Sequence, residues 1–93
     1  MHDALITSLQ NQRVKDAVKL RDRRQRDKQG RFLIDGLREL DRALDAGIEP
    51  ADVFLCPELC SGDAARALAV KLDRVCPQAV QLVTPAVFAK LSF

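Results

Sequence analysis

Residues 11–38 read NQRVKDAVKLRDRRQRDKQGRFLIDGLR. A lysine- and arginine-rich helical pattern runs into Gly30. The short apolar run Arg31-Phe32-Leu33-Ile34-Asp35 follows, and Gly36 closes it. Helix, glycine turn and strand in that order make the opening of an α/β fold. Asn11 is suited to cap the helix, which the pattern places over about residues 11–24. Val14, Ala17, Val18 and Arg21 fall on one face at i, i+3, i+4 and i+7. Lys15, Lys19, Arg23 and Arg26 recur on another, forming a basic stripe if the helix reaches residue 26.

Downstream, the alternation continues. Leu37, Leu40, Leu44 and Ile48 mark a second helix that Gly47 terminates. Asp52–Cys56 reads as a strand stopped by Pro57. Ser61 is placed to cap a helix over about 62–75 with Ala65, Leu68, Leu72 and Val75 inward, and Pro77 lies just beyond its end. Ala79–Val83 reads as a further strand. Thr84-Pro85 then opens a last helix, with Val87, Phe88 and Leu91 on its apolar face. The order α-β-α-β-α-β-α predicts an α/β fold with a largely parallel sheet covered on both faces. Ninety-three residues make a single domain, 1–93. The chain stops at Leu91-Ser92-Phe93 without a polar tail, as at a domain edge.

Charge is divided along the chain. Residues 1–31 carry nine Lys/Arg against four Asp/Glu, and residues 32–93 carry six against nine, so the net +2 conceals a one-sided molecule. Such asymmetry is the footprint of a polyanionic partner. Arginine forks match phosphate oxygens in pairs and lysine adds point charges. The competing reading is a solvated helix face laced with Asp–Arg pairs through Asp16, Asp22 and Asp27. There is no Trp or Tyr, and Phe32, Phe54 and Phe88 sit in runs that read as core. Recognition is therefore expected to rest on backbone and shape more than on stacked bases. Asp35-Gly36 is either a functional corner or a plain strand terminator.

Other chemistry is poorly supplied. Cys56, Cys60 and Cys76 are an odd number without a framework spacing, which suits a reducing, cytoplasmic setting. Zinc generally wants four ligands, and the lone His2 stands far from the thiols in sequence, so no metal site is expected. With one imidazole and four scattered glycines, neither a nucleophile–histidine pair nor a phosphate loop can be assembled. No catalytic residue is expected in this chain. No apolar run approaches the roughly 20 residues that span a bilayer, and the start MHDALITSLQ lacks the features of a secretory signal.

Ile6–Lys15, Leu20-Arg21, Arg26, Gly30 and Phe32–Gly36, together with Val87–Ser92 at the other end, resemble the N-terminal substrate-binding domain of the SpoU/TrmH family of RNA 2′-O-ribose methyltransferases. That resemblance implies a three-layer α/β/α sandwich similar to RNA-binding ribosomal proteins, gripping ribosomal or transfer RNA. It also implies a separate, knotted C-terminal domain, absent from this chain, that binds S-adenosylmethionine and dimerises the enzyme. No cofactor is then expected in the chain itself, and the fragment is expected to be monomeric. Asn11, Lys15, Arg21, Arg26, Gly30 and Gly36 match motif positions that the family links to its RNA-facing side. With the basic segment, the expected RNA-binding set is Asn11, Lys15, Lys19, Arg21, Arg23, Arg24, Arg26, Lys28, Arg31, Gly36 and Arg38. Gln12 stands where proline is common in the family, and Asp35 where glutamate is usual. Two alternatives remain: a free-standing ribosomal-type RNA-binding protein, and a protein-interaction module using the acidic later half.

Overall fold

A computed structural model describes residues 5–92. Strand β1 (Leu5–Ile6) leads into helices α1 (Gln12–Lys19), α2 (Arg23–Gln29) and α3 (Leu37–Asp45). Strand β2 (Val53–Leu55), helix α4 (Asp63–Val75), a 3₁₀ turn at Pro77–Ala79, strand β3 (Val80–Val83) and helix α5 (Pro85–Leu91) complete the chain. The sheet order is β1-β3-β2, and both pairings are parallel.

Strand pleating divides the core in two. Leu55 and Leu82 are partly buried and Val53 and Val80 fully so, all packed with Leu44 of α3 and Leu68 and Leu72 of α4. On the other side Cys56 and Val83 are buried with Val14 of α1 and Val87 of α5, and Ile6, Phe54 and Phe88 close around them. Successive strand residues thus serve opposite layers, as a period of two requires. The result is a three-layer α/β/α sandwich, with α3 and α4 on one face and α1 and α5 on the other.

Local chemistry sets the boundaries. Asn11 Oδ1 accepts from the amides of Arg13 at 2.9 Å and Val14 at 3.4 Å, opening α1. Thr84 Oγ1 does the same for α5 from Val87, with Pro85 in the first turn. At the end of α3, Ile48 N donates to Ala43 O and Gly47 N to Leu44 O, and Gly47 at φ 84° makes the left-handed turn. Gly36 holds φ 110°, a backbone conformation that disfavours any side chain at this position.

Three expectations are corrected, and one element was not expected. The helix expected over 11–24 is two helices: Asp22 turns its carboxylate to the amide of Arg24 and starts α2, competing with continuation of α1. The run 31–35 forms no strand; its peptide groups join no ladder, and Phe32 is exposed rather than core. Helix α4 begins at Asp63 with Gly62, not Ser61, at the cap. Strand β1 was not foreseen, since two residues carry no periodicity. His2 lies outside the described residues. All three cysteines are free, and Cys56 and Cys76 are buried. Among the described residues no cluster of potential metal ligands occurs, and no helix is long and apolar enough to cross a membrane.

Candidate nucleic-acid interface

Helix α1 buries Val14 and Ala17, which fixes its opposite face outward and exposes Lys15 and Lys19, one turn apart. Helix α2 buries nothing. Its Arg24 and Lys28, also one turn apart, are exposed, as is Arg23. Lys15, Lys19, Arg23 and Lys28 have no ion-pair or side-chain hydrogen-bond partner among the described residues. Arg24 has only Asp22, with Nη2 to Oδ2 at 3.7 Å, and its side chain is 91% exposed. An exposed pair of that length contributes little and leaves the guanidinium open to another anion. The solvated-face alternative, which needs the aspartates to neutralise the arginines, is therefore poorly supported along α2.

The two helices form one unit because three side chains lock their junction. Arg26 Nη1 turns back to the carbonyls of Leu20 at 2.9 Å and Arg21 at 3.0 Å, satisfying acceptors at the end of α1. Gln29 Nε2 donates to Asp16 O at 3.1 Å and ties the end of α2 back to α1. Arg21 Nη2 reaches across to the carbonyls of Lys90 and Ser92, the latter at 2.9 Å, holding the end of α5. Gly30 at φ 67° ends α2, with the amides of Gly30 and Arg31 both on Arg26 O.

The expected binding residues thus separate into two groups. Lys15, Lys19, Arg23, Arg24 and Lys28 are presented outward on α1 and α2. Asn11, Arg21 and Arg26 direct their polar groups at the protein's own backbone and act as positioning residues. Because the helix breaks at Leu20–Asp22, Lys15, Lys19, Arg23 and Arg26 do not make a continuous stripe. Arg31 and Arg38 are exposed on the chain beyond α2, and Gly36 is the backbone turn into α3.

Asp52, just before β2, carries no signal of a role in its local sequence. Its carboxylate faces Arg13 Nη1 at 3.7 Å and Arg31 Nη1 at 3.9 Å, from positions 39 and 21 residues earlier. On the opposite layer Lys71 joins α4 to α3 through Asp41 at 2.8 Å and Asp45 at 2.6 Å. Those hydrogen bonds, to Asp41 first and Asp45 second, hold the Lys71 ammonium above its ordinary pKa. Burial raises the thiol pKa of Cys60 and Cys76, with Cys56 adding to the effect at Cys60. Neutral thiols of this kind are poor nucleophiles and poor metal ligands.

The described residues thus form a three-layer α/β fold that turns a pair of cationic helices outward. Residues 11–93 match the family of MRM3-like substrate-binding domains, and the chain belongs to it. Among solved structures, one described as the crystal structure of an RNA 2′-O ribose methyltransferase superposes with a TM-score of 0.77 at 37% identity. The superposition covers 96% of this chain and 32% of that one, so the chain spans about a third of its length. A comparison with curated proteins found no match.

Proposed function

We propose that the chain is the RNA-recognition domain of a two-domain RNA 2′-O-ribose methyltransferase. It holds folded ribosomal or transfer RNA by its phosphates and presents one ribose to a second domain that binds S-adenosylmethionine. The carrying observation is the set Lys15, Lys19, Arg23, Arg24 and Lys28, left open to solvent on two helices that are otherwise braced from behind. Membership in a substrate-binding family and likeness to a third of an RNA methyltransferase support this over a free-standing ribosomal-type protein or a protein-interaction module. The domain's contribution to the reaction is orientation: binding energy spent away from the reacting atoms fixes the hydroxyl in place. The setting is the cytoplasm, the whole enzyme is a dimer through its catalytic domain, and this domain alone is a monomer without cofactor.

The test is a gel-shift titration with a structured RNA across a salt series. Alanine at Lys15, Lys19, Arg23, Arg24 and Lys28 together should weaken binding to every sequence tried. Each lost phosphate contact should reduce the log–log salt slope by roughly 0.7 to 0.9. An unchanged isotherm, with the variant still folded, would overturn the assignment.

A further inference from the structure

Of the three phenylalanines among the described residues, two are packed and one stands mostly in water. Phe54 and Phe88 close around the layer of α1 and α5, whereas Phe32 is 64% exposed. Phe32 borders a hollow of about 300 Å³ completed by Leu20, Leu33, Arg21 and Arg26. The leucines supply apolar surface and the arginines positive charge, and no carboxylate of the described residues lines it. Small-ligand sites begin at about this volume, which suits one planar group rather than a folded segment.

The platform is placed by its neighbours. Arg31 N donates to Arg26 O at 3.2 Å, directly after the left-handed turn at Gly30. Arg31 Nη1 also faces Asp52 at 3.9 Å. The backbone entering Phe32 is thus tied to the end of α2, and a ring already placed loses less freedom when a partner stacks on it. The guanidinium groups of Arg21 and Arg26 are held by backbone carbonyls, which fixes their position and leaves their charge in place.

A lone exposed ring is ordinary in a folded protein. A ring set among arginines, with no acid beside it, is selective. Its partner must offer a flat apolar face next to negative charge, and a nucleotide carries both. Arg23, Arg24 and Lys28 on the helix that bears Arg26 are exposed for the adjoining phosphates. Bases inside a helical stem are already stacked and paired, so the base that meets Phe32 must be unpaired.

We propose that Phe32 is the stacking platform for one unpaired RNA base, with Arg21 and Arg26 holding positive potential around it. The proposal rests on the RNA-binding reading and adds the class of RNA preferred: a structured RNA with a bulged or looped-out base. At this one position it departs from the expectation that recognition rests on backbone and shape.

Gel-shift titrations against two RNA duplexes, alike except for one bulged adenosine, test it. The chain should bind the bulged duplex about tenfold or more tightly, the size of one base–aromatic stack. Phe32→Leu keeps the apolar bulk without the π face and should bring the two affinities together. Its affinity for the fully paired duplex and its log–log salt slope should not change, since a stack carries no charge; that retained binding also shows the variant folded. Phe32→Trp should keep the preference. Equal affinities of the unsubstituted chain for both duplexes would overturn the proposal and leave the RNA reading in place. So would a preference that survives in Phe32→Leu, or tryptophan behaving as leucine does. Binding to neither duplex would overturn the RNA reading itself, and the platform with it.

Discussion

From Arg21 to Arg42 not one residue is buried, whereas Ala43 to Val87 hold twelve of the fifteen core residues found among the described residues. The first region carries eight of the fifteen lysines and arginines. Burial and exposed positive charge are therefore concentrated in different parts of the same small domain. The later region folds because α3, α4 and α5 sandwich a parallel sheet. The earlier region is held by hydrogen bonds from side chains to backbone carbonyls, at the α1–α2 junction. A helix organised like α2 keeps its cations in water, where an anion can still reach them, without burying any residue of its own.

The sharpest way to break this contrast is to compare one residue from each side. Leu72→Ala removes a fully buried side chain packed against both β2 and β3. It should cost about 2–5 kcal/mol in denaturant unfolding, while Arg23→Ala should stay within about 0.5 kcal/mol. Comparable losses would show that the exposed region shares the core's role.

Arg26→Ala tests the junction. It strips donors from the carbonyls of Leu20 and Arg21 and should lower stability by about 1–2 kcal/mol. RNA affinity should fall as well, because the cations lose their placement. The salt slope should hardly change, since Arg26 makes no phosphate contact of its own in this arrangement. A slope reduced by as much as for Arg23→Ala would place Arg26 on the RNA instead.

The smallest effect is expected at Lys71, on the well-packed side. Its folded-state pKa is raised by Asp41 and Asp45, so its contribution is complete below the ordinary lysine pKa of 10.5. That contribution is lost as pH climbs through the higher folded value. Lys71→Met should lower Tm by no more than a few degrees at neutral pH. The gap to the parent chain should narrow above pH 10.5, and a gap unchanged there would refute the ion-pair account.

Much of the sandwich is legible in the chain itself. Val53–Leu55 and Val80–Val83 are short apolar runs bounded by proline, and Thr84-Pro85 announces α5 by cap chemistry that needs no tertiary partner. What escapes is decided by distant partners. Leu5–Ile6 is a strand only because β3 lies beside it. The break at Leu20–Asp22 depends on which carbonyls Arg26 can reach. Phe32 reads as core from its neighbours in sequence, yet it stands in solvent beside an open sheet edge. For the candidate binding surface, charge density singled out the segment, but not which guanidinium groups are already engaged by the backbone. That division follows from folded geometry, since Arg21 meets its acceptors 69 and 71 residues away.

The two-residue β1 has a practical corollary. It covers one rim of β3 through Leu5 and Ile6, with Thr84 N donating to Ile6 O at 3.1 Å to finish the contact. A shortened version starting after Ile6 would leave that rim bare as well as the outer one on β2, reducing the sheet to a ribbon of two strands. Ribbons that narrow are marginal in water and prone to pair with one another, so Leu5 and Ile6 guard solubility as much as shape.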